Sequence, residues 1–303
     1  MRITAACLAT LLFASSAGAT PKVVTSIMPV HSIVANVMGG VGAPELLLSG
    51  KNSEHNASLT PQQISGLGQA DVVFMVGSGL EHKLGQISGT DSVQGKIFIS
   101  LSEAPGIRTL KVRQGGTFEA DGHEEHHDDP LLKFDPHIWL DPQNAKAMTT
   151  AVANELGTID PEHAATYTAN ATAYLATLDL LTAEISSEIQ PLQGKPFIVF
   201  HDAYQYFEKA FGLTVAGSIA DASAAAPSAK RLKEIRDKLA ETKTLCVFRE
   251  PQFDAKYVDV VLEGSTAKQG ILDPTGYDLA LGPKAYEELL HNMARALKHC
   301  LGG

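Results

Sequence analysis

HAATYTANATAYLATLDLLTAEISSEI, residues 163–189, contains neither Gly nor Pro. Tyr167, Ala171, Tyr174, Leu178, Leu181 and Ile185 recur at steps of three and four, the spacing of one apolar helix face. A helix of 27 residues spans about 40 Å at about 1.5 Å per residue. That is too long for one lobe of a chain this size, so the stretch reads as a rigid strut joining two lobes. The competing reading divides the helical region 143–190 into two ordinary helices with a break.

On both sides of the strut, short apolar runs alternate with amphipathic segments. Before it, KVVTSI (22–27), APELLL (43–48), ADVVFMVG (70–77) and GKIFIS (95–100) read as strands. PVHSIVANVMGG (29–40) is a helix ended by Gly39-Gly40. Thr60-Pro61 has the form of an N-cap followed by Pro at N1. After the strut, KPFIVF (195–200), LTVAGSI (213–219), TLCVF (244–248) and GILD (270–273) read as strands. The helices between and after them are expected at 202–211, 227–242 and 283–299. Such alternation predicts an α/β protein, each lobe a mainly parallel sheet flanked by helices. The expected divisions are an N-terminal lobe 20–160, a linking helix 161–190 and a C-terminal lobe 191–303.

The first nineteen residues read as a secretory signal peptide. Arg2 precedes a short apolar run, and Ala17-Gly18-Ala19 resembles a cleavage site. No later segment is read as a membrane span, so stable membrane insertion is not expected. The net charge is −10, without a basic patch, which argues against nucleic acid as a partner. Export leaves Cys246 and Cys300 in an oxidising compartment, where two cysteines suggest one disulfide; two free buried thiols are the alternative.

Of the eleven histidines, four fall within 123–142. His123, His126 and His127 stand among Glu124, Glu125, Asp128 and Asp129, in a stretch (113–134) with too little apolar content to order itself. That stretch reads as a mobile loop. The fourth, His137, sits in DPHIWLDP beside the only Trp. His55 lies in the loop before the Thr60 helix, and His201 directly follows the strand PFIVF. In open α/β sheets, ligands bind beyond the carboxyl ends of strands. Three imidazoles converging there would make a nitrogen-rich site for a borderline metal such as zinc. No G-x-S-x-G nucleophile elbow is present, and no G-x-G-x-x-G follows a strand.

These segments together resemble a known family. SEH before the SLTP helix start, the acidic His-bearing insert, DPHIWLDP, VFHDAYQYFEKAFGL, FREPQF and ILDPTG are similar to the metal-binding receptors of bacterial metal-uptake ABC transporters, in particular the zinc-uptake (ZnuA-like) proteins. The likeness covers the whole mature chain. It implies two α/β lobes joined by one long helix, with the metal in the cleft between them. It also implies ligands His55 and His137 from the first lobe and His201 from the second. His201 stands where manganese-binding relatives typically carry Glu, which favours zinc. Glu54 is the expected fourth ligand, with Asp273 of ILDPTG as the alternative and water as a third option. The zinc members' disulfide would correspond to Cys246–Cys300.

The function so implied is a periplasmic receptor, in a Gram-negative type of cell, that captures Zn2+ and delivers it to an ABC permease. It is expected to be a monomer and not an enzyme. A manganese or iron receptor of the same fold, and a secreted zinc hydrolase, are the alternatives. His123, His126 and His127 are expected to form a weaker auxiliary zinc loop. Arg249 and Glu250 of FREPQF are read as an ion pair within the second lobe. Asp135 or Asp141 is read as the carboxylate that orients a ligand imidazole.

Overall fold

The computed structural model describes residues 20–49, 53–118 and 132–302. The expected signal peptide and His123, His126 and His127 lie outside the described residues. The first sheet contains β1 (Val23–Thr25), β2 (Glu45–Leu46), β3 (Val72–Met75) and β4 (Ile97–Ser100), in the order β2-β1-β3-β4 and parallel throughout. The second contains β5 (Pro196–His201), β6 (Thr214–Ala220), β7 (Cys246–Arg249) and β8 (Lys268–Ile271), in the order β6-β5-β7-β8 and also parallel. In both, the winding reverses beside the first strand, which puts a crevice at the carboxyl ends of β1/β3 and of β5/β7.

The helices of the first half are α1 (Met28–Val37), α2 (Pro61–Leu67), α3 (His82–Ser88) and α4 (Pro142–Ile159). Thr60 caps α2 as expected: its hydroxyl accepts from Gln63 N at 3.3 Å, and the Gln63 side chain accepts from Thr60 N at 2.8 Å. Asp141 caps α4 by accepting from Gln143 N at 2.8 Å. The strut is α5 (Ala164–Ile189), one unbroken helix of 26 residues. Tyr167, Ala171, Tyr174, Leu178, Leu181, Ile185 and Ile189 are its buried face. Asn170 Nδ2 donates to the carbonyls of Val37 and Gly39 at the end of α1, tying the first half of α5 to the first lobe.

The second half adds α6 (Gln205–Phe211), α7 (Ala229–Thr242), α8 (Lys256–Leu262) and α9 (Ala285–Leu301). Glu188, near the end of α5, pairs with Lys298 of α9. The apolar core is continuous through the strut, running from Val23, Ile33 and Phe74 through Tyr174 and Ile185 to Phe197, Tyr286 and Met293. A disulfide joins Cys246 on β7 to Cys300 on α9, with Cα atoms 6.1 Å apart. Closing a loop of 54 residues contributes roughly 4 kcal/mol by restricting the unfolded chain.

Two boundaries differ from the sequence reading for identifiable reasons. The last strand is Lys268–Ile271 rather than 270–273, because the Asp273 carboxylate accepts from the backbone N–H groups of Thr275, Gly276 and Tyr277 and bends the chain into a turn. Helix α6 starts at Gln205 rather than 202, because Ala203 N donates back to His201 O and Asp202 is held by Arg113.

Residues 110–118, partly assigned to a mobile loop, are bonded to the second lobe. Leu110 N donates to the Tyr206 hydroxyl, Gln205 Nε2 to Lys111 O, and Ser218 N of β6 to Gly116 O. A Cβ on Gly217 would lie 2.6 Å from Gly116 O, so the bare backbone of β6 is what admits this strap.

Candidate metal centre

Each donor is placed by a different local device. Glu54 and His55 are neighbours in a turn closed by Asn56 N to Ser53 O (3.2 Å), just ahead of the Thr60 cap. His137 begins a single 3-10 turn, Ile138–Leu140, that leads into Asp141 and α4. His201 is the last residue of β5, at the crevice of the second sheet.

The imidazoles meet tip to tip. His137 Nε2 lies 3.2 Å from His55 Nε2 and 3.2 Å from His201 Nε2. A Glu54 carboxylate oxygen is 3.7 Å from His55 Nε2. One donor atom from each of Glu54, His55, His137 and His201 falls within 4.8 Å of all the others. His137 and His201 are wholly buried, and the side chains of His55 and Glu54 are 5% and 6% exposed.

The outer ring nitrogens of His137 and His201 are held by carboxylates. His137 Nδ1 donates to Asp135 Oδ1 (2.8 Å), and His201 Nδ1 donates to Glu250 Oε1 (2.7 Å). Those bonds fix the tautomers with the Nε2 lone pairs facing inward, as a metal site requires. Asp135 is braced in turn by Gln205 Nε2 on its other oxygen (2.9 Å), and its backbone carbonyl accepts from the Tyr206 hydroxyl (2.7 Å). Trp139 joins the two lobes here: its indole donates to Pro274 O, and its carbonyl accepts from the Tyr286 hydroxyl.

Burial and neighbours divide the titrations. Burial, with the other imidazoles adding to it, holds His55 and His137 well below the ordinary 6.5. Burial alone would also lower His201, but the charge and hydrogen bond of Glu250 outweigh it, and the ring titrates above 6.5. Burial pushes the carboxyls of Glu54 and Asp135 up to about 7.

The structure brings some of the expected site residues together and gives others different partners. His55, His137 and His201 come together, and Glu54 joins them. The Asp273 carboxylate is occupied by its own turn and by Gln252 Nε2. Asp135 orients His137, whereas Asp141 caps a helix. Glu250 pairs with His201 rather than with Arg249, because it leaves β7 beside the end of β5 and its side chain enters the crevice. The crevice rule that located His201 would also have located Glu250. No sequence signal pointed to Arg113, whose guanidinium binds Asp202, the residue after His201, and also Glu208.

The family model "ZnuA: Zinc-uptake complex component A periplasmic" matches residues 23–300. A high-affinity zinc uptake system protein ZnuA of Brucella abortus is 42% identical over 313 residues, covering 95% of this chain and 93% of that protein. The protein of the same name from Paracoccus denitrificans is 37% identical, covering 93% and 92%. Among solved structures, a ZnuA deletion mutant crystallised with zinc bound has a TM-score of 0.74 at 28% identity, covering 93% of this chain and 98% of that one. The periplasmic zinc binding protein TroA of Treponema pallidum has a TM-score of 0.79 at 24% identity, covering 93% and 99%, a likeness of fold alone.

Proposed function

Since the chain belongs to the ZnuA family of zinc-uptake complex components, we propose that it is an exported periplasmic receptor that binds Zn2+ between its lobes and hands it to a membrane ABC permease. The ligands are His55, His137 and His201 through Nε2, with Glu54 as the fourth. The observation that carries this reading is the spacing of the nitrogens. Tetrahedral zinc with Zn–N bonds of about 2.0–2.1 Å sets its ligand nitrogens about 3.3 Å apart. The His55–His137 and His137–His201 separations are both 3.2 Å. The fit requires neutral imidazoles, which the environments of His55 and His137 favour and which Asp135 and Glu250 orient.

Three nitrogens and one carboxylate suit zinc better than manganese, which prefers oxygen. No bond of a substrate is made or broken in this role. The letters HEEHH at 123–127 match a zinc-protease run, but that chemistry needs both histidines on one face of a helix, and these residues lie outside the described ones. We read them as an auxiliary zinc-collecting loop of weaker affinity. One chain supplies all four ligands, so a monomer suffices. The lobe divisions 20–160, 161–190 and 191–303 accompany this reading. No helix among the described residues is long and apolar enough to cross a membrane.

Calorimetry on the purified protein tests the assignment. Wild type should take one Zn2+ tightly, His201→Ala should lose that step, and excess Mn2+ should not displace the zinc. Unchanged tight binding by His201→Ala would refute the ligand set. Deleting 119–131 should remove only weaker zinc equivalents.

A further inference from the structure

Two of the imidazoles are sealed, so the ion needs a route to them. A cavity of about 160 Å³ lies against the site, with Glu54 in its wall and none of the three histidines. One water needs about 10–15 Å³ of such space, so the cavity admits a partly hydrated ion. First-lobe residues Met28, Leu46 and Leu48 form one side, and Tyr277 and Leu279 of the second lobe the other. Its rim is exposed: Leu281, also lining it, is 56% accessible, whereas Glu54 at the inner end is 6% accessible.

The geometry assigns this cavity as the passage by which Zn2+ enters and leaves, with Met28 as its movable throat. The assignment rests on the ligand set proposed above. Among the described residues Glu54 is the one carboxylate in the lining, so an entering cation meets an anionic ligand there at the inner end. The rest of the lining is apolar side chains with the neutral polar groups of Ser49, Thr275 and Tyr277, which offer no charge to hold the ion on the way. The second-lobe wall is fixed, because Asp273 binds three successive N–H groups of the turn that carries Gly276 and Tyr277. The first-lobe wall includes Met28, whose unbranched thioether changes rotamer readily. Its terminal methyl presses on Gly276: a Cβ there would lie 2.0 Å from Met28 Cε, and Gly276 has φ +74°. One contact between the lobes across the passage is thus a flexible side chain against a glycine.

A passage acts on rates and leaves affinity alone, whereas ligand changes act mainly on dissociation. Stopped-flow exchange of Zn2+ with a fluorescent chelator would read both rate constants in Met28→Ala and Leu281→Trp. Met28→Ala should raise both by the same factor, at least about threefold, and leave Kd within about twofold. Leu281→Trp, at an exposed position that folding tolerates, should lower both together. If both rates stay at wild-type values in the folded variants, or if Kd changes through dissociation alone, the assignment fails. Should Met28→Ala not fold, Leu281→Trp decides by the same criteria. Failure of the ligand set itself is seen separately, as tight equilibrium binding that survives His201→Ala.

Discussion

Lowering the pH should weaken zinc binding from a higher pH than free imidazole chemistry suggests. Zinc needs every ligand deprotonated. His55 and His137, held well below 6.5 by burial, are already neutral through the physiological range. His201 titrates above 6.5 because Glu250 stabilises its cation, and Glu54 titrates at about 7 because it is buried. These two groups must therefore shed protons on binding near neutrality. Each such proton costs about 1.4 kcal/mol per pH unit below its pKa. With both engaged, affinity should fall by up to about a hundredfold per pH unit on the acid side of neutrality. Competition with a chromophoric chelator from pH 5.5 to 8.5 would give the slope. Calorimetry in two buffers of different ionisation heat would count the protons released at pH 6.5, expected to lie between one and two. Glu250→Gln removes the charge that raises His201, so the count should drop towards that of Glu54 alone. A flat affinity down to pH 6.5 with no proton released would refute the reasoning.

The same carboxylate makes a second prediction: Glu250→Gln should weaken zinc binding about 10–100-fold at pH 8, where competition by protons is weaker than at pH 6.5, by loosening the His201 ring. Arg113→Ala should destabilise the zinc-free protein by about 3–5 kcal/mol in urea unfolding, since it strands the buried Asp202 carboxylate. Arg113→Ala combined with Asp202→Asn should recover most of that loss, and a cost below about 1 kcal/mol for the single change would contradict the buried pair. Zinc-free stability should fall as pH rises from 6.5 to 8. His201, Glu54 and Asp135 have folded pKa values above their unfolded ones, so the native state binds the extra protons; His55 and His137 act the other way, but their unfolded rings lose most of their protons early in that window and offset only part of the effect. The increase in Tm on adding zinc should therefore be larger at pH 8 than at pH 6.5.

The strut and both parallel sheets were legible because each rests on local pattern: the Tyr167–Ile185 stripe, the apolar runs, and the Thr60-Pro61 cap. His201 was legible as a strand-end residue, and the family likeness grouped it with His55 and His137. What escaped was set by contacts between segments distant in sequence. Glu250 was assigned to its neighbour Arg249, yet it faces His201, 49 positions away, across adjacent strands. Residues 113–118 lack periodicity because they form neither helix nor strand. They are ordered by hydrogen bonds to Asp202, Glu208 and Ser218, which no window of sequence displays.

Those distant contacts give the centre its electrostatic character. Glu54, Asp135, Asp202 and Glu250 are four carboxylates, all 6% exposed or less, gathered around three imidazoles. Arg113 meets one of them, Asp202, with a guanidinium. Leaving the other three ionised in a low-dielectric crevice would be costly. Without metal the site lowers that cost with protons: Glu54 and Asp135 titrate near 7, and His201 keeps its proton beside Glu250. On the proposed ligand set, a divalent cation would replace the protons of Glu54 and His201 with two positive charges at the point where the Nε2 atoms converge. The protons would then serve as exchangeable placeholders for the ion, coupling capture to proton release and making loss of the metal easier wherever protons are more abundant.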